Sequence, residues 1–423
     1  MEPLSDRAEI EAATEQPLQR LERTSSRAMA RMRLALQWES AFAKHTDCYV
    51  ATKLNLWRDV FPPELEHALM DKPVDHSAVR AFGPGELFPV WREDALFRVR
   101  SDQFDRRFLR RGFVQPRAGR FYPRGILEGV RGVFRVDRHP FRVVEVTGKD
   151  ILVDLNHPLA GKPVRLEVVI EDIWALPEER GGRCNETADL VGSNGPGMQA
   201  RWRDVPTDFW SDLPFLRKDP RPDGDFYTQP RFVDHLDRAA IAEVAALYGR
   251  LLPAGGRLLD LMSSWHSHLP ASLKAGEVMG LGMNAEELAA NAALTDYLVH
   301  DLNQTPQLPF ADASFDAVFC TVSVEYLTQP FEVFSEVARV LKPGGRFVTT
   351  FSNRWFPPKV IQLWEGIHEF ERPGLVTEYF LESGQFGNVG SWSLRGLPRP
   401  KDDKYADQLT TSDPVYALWG DRL

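Results

Sequence analysis

The chain has 423 residues, 43% of them hydrophobic and 26% charged, a balance that supports two or three packed cores and excludes disorder as its main theme. Fifty-one Lys and Arg stand against 60 Asp and Glu, a formal charge of −9 that no Lys/Arg tract offsets with a clear phosphate-binding surface, so nucleic acid is not an expected partner, although a local basic groove stays open. Cys48, Cys184 and Cys320 are isolated, which argues against a disulfide framework or a cysteine zinc cluster and for a cytoplasmic setting.

The first forty residues lack the apolar core and small-residue cleavage site of a secretory signal. No later stretch supplies the roughly 20 apolar residues of a bilayer span, so membrane insertion is not expected. Residues 1–44 read as one or two helices, with Leu18, Leu21, Met29, Met32 and Leu36 forming a narrow stripe at helical spacing. No heptad is strong enough to specify an oligomer.

From Tyr49 to Trp174 the pattern changes to short apolar or alternating runs: YVATKLNLW, AVRAFG, LFRVR, GVFRV, FRVVEV, DILVDL and VRLEVVIEDI. They lie too close together for βαβ crossovers, so this region is expected to be antiparallel β, a small barrel or half-barrel. Residues 178–228 are dense in Gly, Pro, Asp and Asn, yet carry Trp202, Phe209, Trp210 and Phe215. They read as a connector that docks in part.

After Pro230 the rhythm is helix, strand, helix, strand. VDHLDRAAIAEVAALYGRLL and NAEELAANAAL read as helices, and RLLDLM, EVMGLGM and FDAVFCT as buried strands; the helix FEVFSEVARVL and the LKPGG turn lead into GRFVTTFS. This predicts a mostly parallel α/β sheet whose ligand crevice lies outside the carboxyl ends of the strands. The loops Met262–Ser267, Gly282–Asn284, His300–Asn303 and Thr321–Tyr326 converge there.

The strings LLDL, LPFADASFDAVFC and VFSEVARVLKPGGRFVTTFSN resemble class I S-adenosylmethionine-dependent methyltransferases of the type 11 group. The resemblance covers about residues 229–352 and extends more loosely to 423. It implies an α/β Rossmann-like class I methyltransferase domain over 229–423 and S-adenosyl-L-methionine as cofactor. In place of the group's Gly-rich turn stands Met262-Ser263-Ser264-Trp265-His266-Ser267-His268, and Leu281-Gly282-Met283-Asn284 lacks the acidic residue that ordinarily receives the ribose hydroxyls. LDLMSSWHSHLP, GLGMNAEELAAN and VSVEYLTQPFEVF resemble a subgroup with these same departures.

On that resemblance the cofactor-binding residues are Asp260, Met262, Ser263, Ser264, Gly282, Met283, Asn284, Asp301, Leu302 and Cys320. Asp301 is the expected acceptor for the adenine amino group, Asp260 orients the first loop or meets the cofactor ammonium, and Asn284, or else Glu286, stands in for the ribose acid. Methyl transfer from a sulfonium asks for an aligned nucleophile more than for a special catalytic group. His266 and His268 are the candidate bases and Tyr326 the candidate that orients the acceptor. Asp260, Ser264 and His268 share one loop without a nucleophile elbow, which argues against a hydrolase triad. His266, His268 and Cys320 lack the further ligands a metal centre needs. RWFPPKVIQLWEGIHEF, after Asn353, reads as a substrate lid or as a helix covering the sheet.

FPPELEHALMDKPVDHSAVRAFGPGELFP and VDLNHPLAGKPVRLEVVIEDI resemble FKBP-type peptidyl-prolyl isomerases of the SlyD-like kind. This implies a β-rich FKBP/SlyD-like domain over 45–177 with an inserted flap at about 90–150, and Asp47, Tyr49, Leu65, Phe82 and Phe88 as walls of a proline pocket. His157 reads as a turn residue. The combined expectation is a multidomain enzyme that methylates an unidentified acceptor, with a peptide or protein handled by the SlyD-like part as one candidate. The alternative is a peptide-binding chaperone or prolyl isomerase carrying a non-catalytic methyltransferase-like domain.

Overall fold

The computed structural model describes residues 18–108, 113–176 and 183–423. In the N-terminal half lie β1 (Ala28–Glu39), β2 (Lys44–Asn55), α1 (Pro63–Leu69), β3 (Ser77–Phe82) and β8 (Val164–Ala175). Between β3 and β8 sits a separate antiparallel sheet of β4 (Leu96–Arg100), β5 (Phe121–Pro123), β6 (Pro140–Thr147) and β7 (Asp150–Asp154), in the order β4-β7-β6-β5. It has its own core around Phe104, Phe141, Ile151 and Val153.

The strand β1 corrects the helical reading of the first 44 residues. From Ala30 to Trp38 buried residues alternate with partly exposed ones, as in Met32, Leu34 and Leu36 against Arg31, Arg33 and Gln37. That period of two puts one face on the core of a sheet and outweighs a few i, i+3 coincidences. The part of that reading on residues 1–17 lies outside the described residues. A second correction concerns GVFRV: Gly132–Val136 is a turn-rich loop, with Phe134 and Val136 exposed, because no neighbouring strand pairs with it to cover an apolar face.

The segment 183–228 contributes α2 (Thr187–Gly192) and α3 (Asp223–Tyr227). Beyond it come α4 (Arg238–Leu251), β9 (Arg257–Ser263), β10 (Glu277–Gly282), α5 (Ala285–Ala290), β11 (Asp296–Val299), β12 (Phe315–Thr321), α6 (Pro330–Val340), β13 (Leu341–Phe351), α7 (Gln362–Gly366), α8 (Glu371–Ser383), β14 (Phe386–Arg395) and β15 (Val415–Arg422). Asp237 caps α4 by accepting from the amides of Ala239 and Ala240, and Pro330 opens α6, both standard helix starts. β9, β10 and β12 are apolar along nearly their whole length because parallel strands are covered on both faces.

One sheet of eleven strands runs through both halves, in the order β11-β10-β9-β12-β13-β15-β14-β2-β1-β8-β3. β9 to β13 are parallel, β15 is antiparallel to both its neighbours, and β14 pairs parallel with β2 from Gly390/Lys44 to Arg395/Tyr49. The β14–β2 seam is polar and buried. Ser393 Oγ donates to Asp47 at 2.6 Å, Trp38 Nε1 and Gln199 Nε2 donate to the same carboxylate, and Ser391 Oγ meets His45 Nδ1 at 2.7 Å. Burial pushes the Asp47 carboxyl above its ordinary range while these donors pull it back, so the seam carries a satisfied network in place of an apolar one.

The residues read as walls of a proline pocket are spent on packing. Leu65, Phe82 and Phe88 are buried with Val191 of α2 in one core, and a Cβ placed on Gly192 would meet the Phe88 ring at 2.2 Å. Asp47 is committed to the seam, while Tyr49 lies beneath the Arg395 guanidinium. His157 stacks on Phe88 at 4.9 Å, and its Nδ1 accepts from the amide of Leu159 within the turn that ends at Gly161, where φ is +71°.

Candidate active site at the carboxyl ends of the parallel strands

Where β9, β10, β11 and β12 end, the chain encloses a cavity of about 350 Å³. Its lining includes the expected His266, His268, Tyr326, Asp260, Met262, Ser263, Ser264, Gly282, Met283, Asn284, Asp301 and Leu302. Cys320 is not among these: it is buried within β12 and packs in the core, because side chains alternate along a strand and its neighbour Thr321 takes the cavity face. Glu286 is exposed on α5 and does not line the cavity.

The turn after β9 does without glycine. Met262 and His268 both take left-handed φ, 58° and 55°, a conformation that costs free energy for residues with a Cβ and persists only where surroundings enforce it. Here α5 enforces it. Asn291 Nδ2 donates to the Ser264 carbonyl (2.8 Å) and to Ser267 Oγ (2.9 Å), Ser264 Oγ donates to Glu287 Oε2 (2.6 Å), and Glu287 Oε1 accepts from the amide of Arg231 (2.6 Å). Gly282 is needed for the same close fit, since a Cβ there would fall 2.1 Å from the Ser263 carbonyl oxygen.

Asp260 is the hub of this loop. Ser263 Oγ and Ser267 Oγ both donate to its Oδ2, at 2.7 and 2.6 Å. Burial disfavours its charge and pushes its carboxyl up to about 7, even though the two hydroxyls pull the other way. Asn284 is the N-cap of α5: its Oδ1 accepts from the amides of Glu286 and Glu287 and its Nδ2 donates to the carbonyls of Tyr227 and Thr228. Asp301 accepts from the amides of Asn303 and Gln304 through Oδ1, while its Oδ2 is buried with no partner.

The three aromatic candidates differ. His268 is buried, its Nδ1 has no partner, and burial with two nearby imidazoles pushes its pKa down to about 3. It is therefore neutral and a weak proton acceptor. His266 lies 4.5 Å from it, half-exposed, with Nδ1 3.6 Å from Asp234. Tyr326 accepts the amide of Phe356 at 2.8 Å and its hydroxyl stays protonated, pushed up by burial.

Several lining residues were not anticipated: Tyr227, Arg231, His235, Glu287 and Tyr405 among them. Most come from outside the strand-end loops. The segment 226–235 is folded over the cavity mouth by Asp223, which receives Arg217 (2.7 Å) and Asn303 Nδ2 (2.7 Å) and lies 3.2 Å from the buried Lys359 ammonium. The stretch after Asn353 divides. Arg354, Trp355 and Phe356 line the cavity, whereas Lys359 and Trp364 are buried beneath it. Asn284-Ala285-Glu286-Glu287 has the N-cap and N3 spacing of a capping box, but the Glu287 carboxylate goes to Ser264 and Arg231 in place of the Asn284 amide, so the spacing did not give its place in the cavity wall.

Residues 265–349 match the methyltransferase domain family. The chain is 32% identical over 120 residues to 27-O-demethylrifamycin SV methyltransferase of Amycolatopsis mediterranei (strain S699), covering 26% of this chain and 44% of that protein. It is 36% identical over 135 residues to the ubiquinone/menaquinone biosynthesis C-methyltransferase UbiE of Brucella anthropi, covering 30% and 47%. A solved S-adenosylmethionine-dependent methyltransferase from Mesorhizobium loti aligns over 43% of this chain and 98% of its own at 19% identity, with a TM-score of 0.30. The chain spans less than half the length of the curated relatives it matches.

The C-terminal half carries a methyltransferase domain, and its cofactor is S-adenosyl-L-methionine. The strand-end cavity fits that group on its own chemistry. The cofactor carries a sulfonium and an ammonium, and the strand-end side supplies Asp260, Glu287 and Asp301, the last with an oxygen left without a donor. Among the described residues no group of His, Cys, Asp and Glu could hold a metal ion, and no helix is long and apolar enough to cross a membrane.

Proposed function

We propose that the protein transfers a methyl group from S-adenosyl-L-methionine to an acceptor seated between the strand ends and the segments 226–235 and 354–356. The observation that carries this reading is the unpartnered, buried Asp301 Oδ2 in the wall of the strand-end cavity. A buried acceptor without a donor costs free energy unless a ligand supplies one, and the adenine amino group is such a donor.

The cofactor brings a methyl group already activated for displacement, so the chain has to bind, align and exclude water. Asp301 takes the adenine amino group and Leu302 the ring face, while Asp260 and Ser263 hold the amino-acid end. With Asn284 committed to its cap, Glu287 is the carboxylate placed for the ribose side. His266, half-exposed and beside Asp234, is the proton acceptor for an acidic acceptor atom; His268 is too weakly basic and serves as a hydrogen-bonding wall. Tyr326, with its hydroxyl proton free to donate, orients the acceptor.

For the N-terminal half we extend the reading on its SlyD-like resemblance: it handles a peptide or protein acceptor. Support comes from the β14–β2 pairing, which ties it to the sheet that carries the cavity. Isomerisation is not part of the proposal, since α2 covers Phe88.

Calorimetric titration of the full chain with S-adenosylmethionine and S-adenosylhomocysteine tests the reading. Saturable binding is expected, weakened about tenfold or more by Asp301→Ala. No binding to folded protein would favour the alternative, a peptide-binding protein with a non-catalytic methyltransferase-like domain.

A further inference from the structure

The overall charge of −9 hides a local reversal. Between Arg98 and Arg142 the sequence has thirteen arginines and no lysine against four carboxylates, Asp102, Asp105, Glu128 and Asp137. Two of those arginines, Arg110 and Arg111, lie outside the described residues. Arg120 and Arg142 are buried inside the protein, and Arg117 is paired with Asp212. Arg106, Arg107, Arg131, Arg135 and Arg138 lie in the loops before β5 and before β6.

These two loops meet. Asp105 pairs with Arg135 at 3.2 Å, Arg135 and Arg138 lie over the Phe108 ring at 5.4 and 5.1 Å, and Arg106 lies over Phe113. The local carboxylates are spent: Asp105 and Glu128 on Arg135, Asp102 on Arg100, Asp137 on His139. Arg107, Arg131 and Arg138 are exposed and form no ion pair among the described residues. Between these cations three large apolar side chains face water: Val136 at 82% exposure, Phe134 at 70% and Phe113 at 61%. Large apolar side chains exposed among cations in this way mark an interaction surface.

We propose that this end of the inserted sheet docks on an anionic lipid surface, with Phe113, Phe134 and Val136 entering the headgroup boundary and the arginines meeting lipid phosphates. One ligand then satisfies both halves of the pattern, as in interfacial binding without a membrane span. Single-stranded nucleic acid would use the arginines and the phenylalanine rings, but an aliphatic tip such as Val136 offers no face for a base to stack on. The proposal stands apart from methyl transfer, because none of these residues lines the strand-end cavity.

The test is co-sedimentation of the full chain with phosphatidylcholine vesicles containing about 30 mol% phosphatidylglycerol, and with phosphatidylcholine alone. Binding is expected on the anionic vesicles only and is expected to fall at about 0.5 M salt. The triple variant Arg107→Gln/Arg131→Gln/Arg138→Gln is expected to lose at least about tenfold in affinity. Phe134→Ser/Val136→Ser keeps every charge and is expected to lose about tenfold as well. All these side chains are exposed, so both variants should melt as the parent does. Equal binding to neutral vesicles, no binding, or unchanged binding by either variant overturns the proposal. So does tighter binding of a uridine 12-mer or of an unfolded, carboxymethylated polypeptide through the same residues, which would assign the face to nucleic acid or to peptide.

Discussion

Asp260→Ala raises the dissociation constant for S-adenosylmethionine by more than about 100-fold. The substitution removes a carboxylate from the strand-end wall and leaves two buried hydroxyls, Ser263 Oγ and Ser267 Oγ, without their common acceptor. A charge-assisted bond contributes about 1.5–3 kcal/mol, and releasing Ser263 and Ser267 loosens the preformed loop that the bound cofactor requires, so a total of about 3 kcal/mol follows. Asp260→Asn separates charge from shape. The carboxyl is pushed up to about 7, above its ordinary value, so the folded protein holds a proton there that the unfolded chain has already lost. The cost of ionising it is absent below the ordinary carboxylate range and complete above about pH 7. A cationic ligand favours the ionised form. Cofactor affinity is therefore expected to rise, by up to about tenfold, between about pH 6 and 8 in the parent and to stay flat across that window in Asp260→Asn. Calorimetry at several pH values reads both outcomes, and a pH-independent parent would remove Asp260 from the cofactor's charged end.

How much of this was legible in the sequence depended on how local the signal was. Leu258–Leu261, Val278–Leu281 and Phe315–Cys320 read as buried parallel strands because burial on both faces leaves a continuous apolar run. Strand ends in such a sheet converge, so naming the loops was enough to bring Asp260, Ser263, Gly282, Asp301 and Tyr326 to one cavity. Cys320 failed on the two-residue alternation of the same strand. Arg231 and His235 were out of reach for a different reason. Turn residues in 178–228 show where the chain bends, while the contact of Asp223 with Asn303 that brings the segment over the cavity spans 80 residues. The single eleven-stranded sheet was equally hidden, since the β14–β2 pairing joins Gly390 to Lys44 and neither strand's pattern names its neighbour. In the first strand, Met29, Met32 and Leu36 also satisfy helical spacing, and only Leu34 and Trp38 between and beyond them break the tie.

Glu371→Ala is expected to destabilise the whole protein by about 3–5 kcal/mol, the scale for stranding one charge of a buried pair. Glu371 opens α8, yet its carboxylate reaches into the inserted sheet: Oε1 accepts from Arg120 Nε and from the amide of Phe121, both at 2.9 Å, and Oε2 accepts from the amide of His368 at 3.1 Å. Both charged side chains are nearly excluded from water, at 9% and 1% exposure. Removing the glutamate leaves the guanidinium and two amides without their acceptor at the contact between the inserted sheet and the methyltransferase half. The seam at Asp47 joins the same two halves elsewhere, so their unfolding is expected to stay coupled: urea melts followed by tryptophan fluorescence and by far-ultraviolet circular dichroism should shift together in Glu371→Ala. The double variant Arg120→Met/Glu371→Leu is expected to recover much of the loss, because apolar groups of similar volume ask for no partner. A separate, earlier transition of the inserted sheet in the parent, where the pair is intact, would show that this buried pair does not join it to the rest of the protein; the same separation confined to Glu371→Ala would show that the pair, and not the Asp47 seam, carries the coupling.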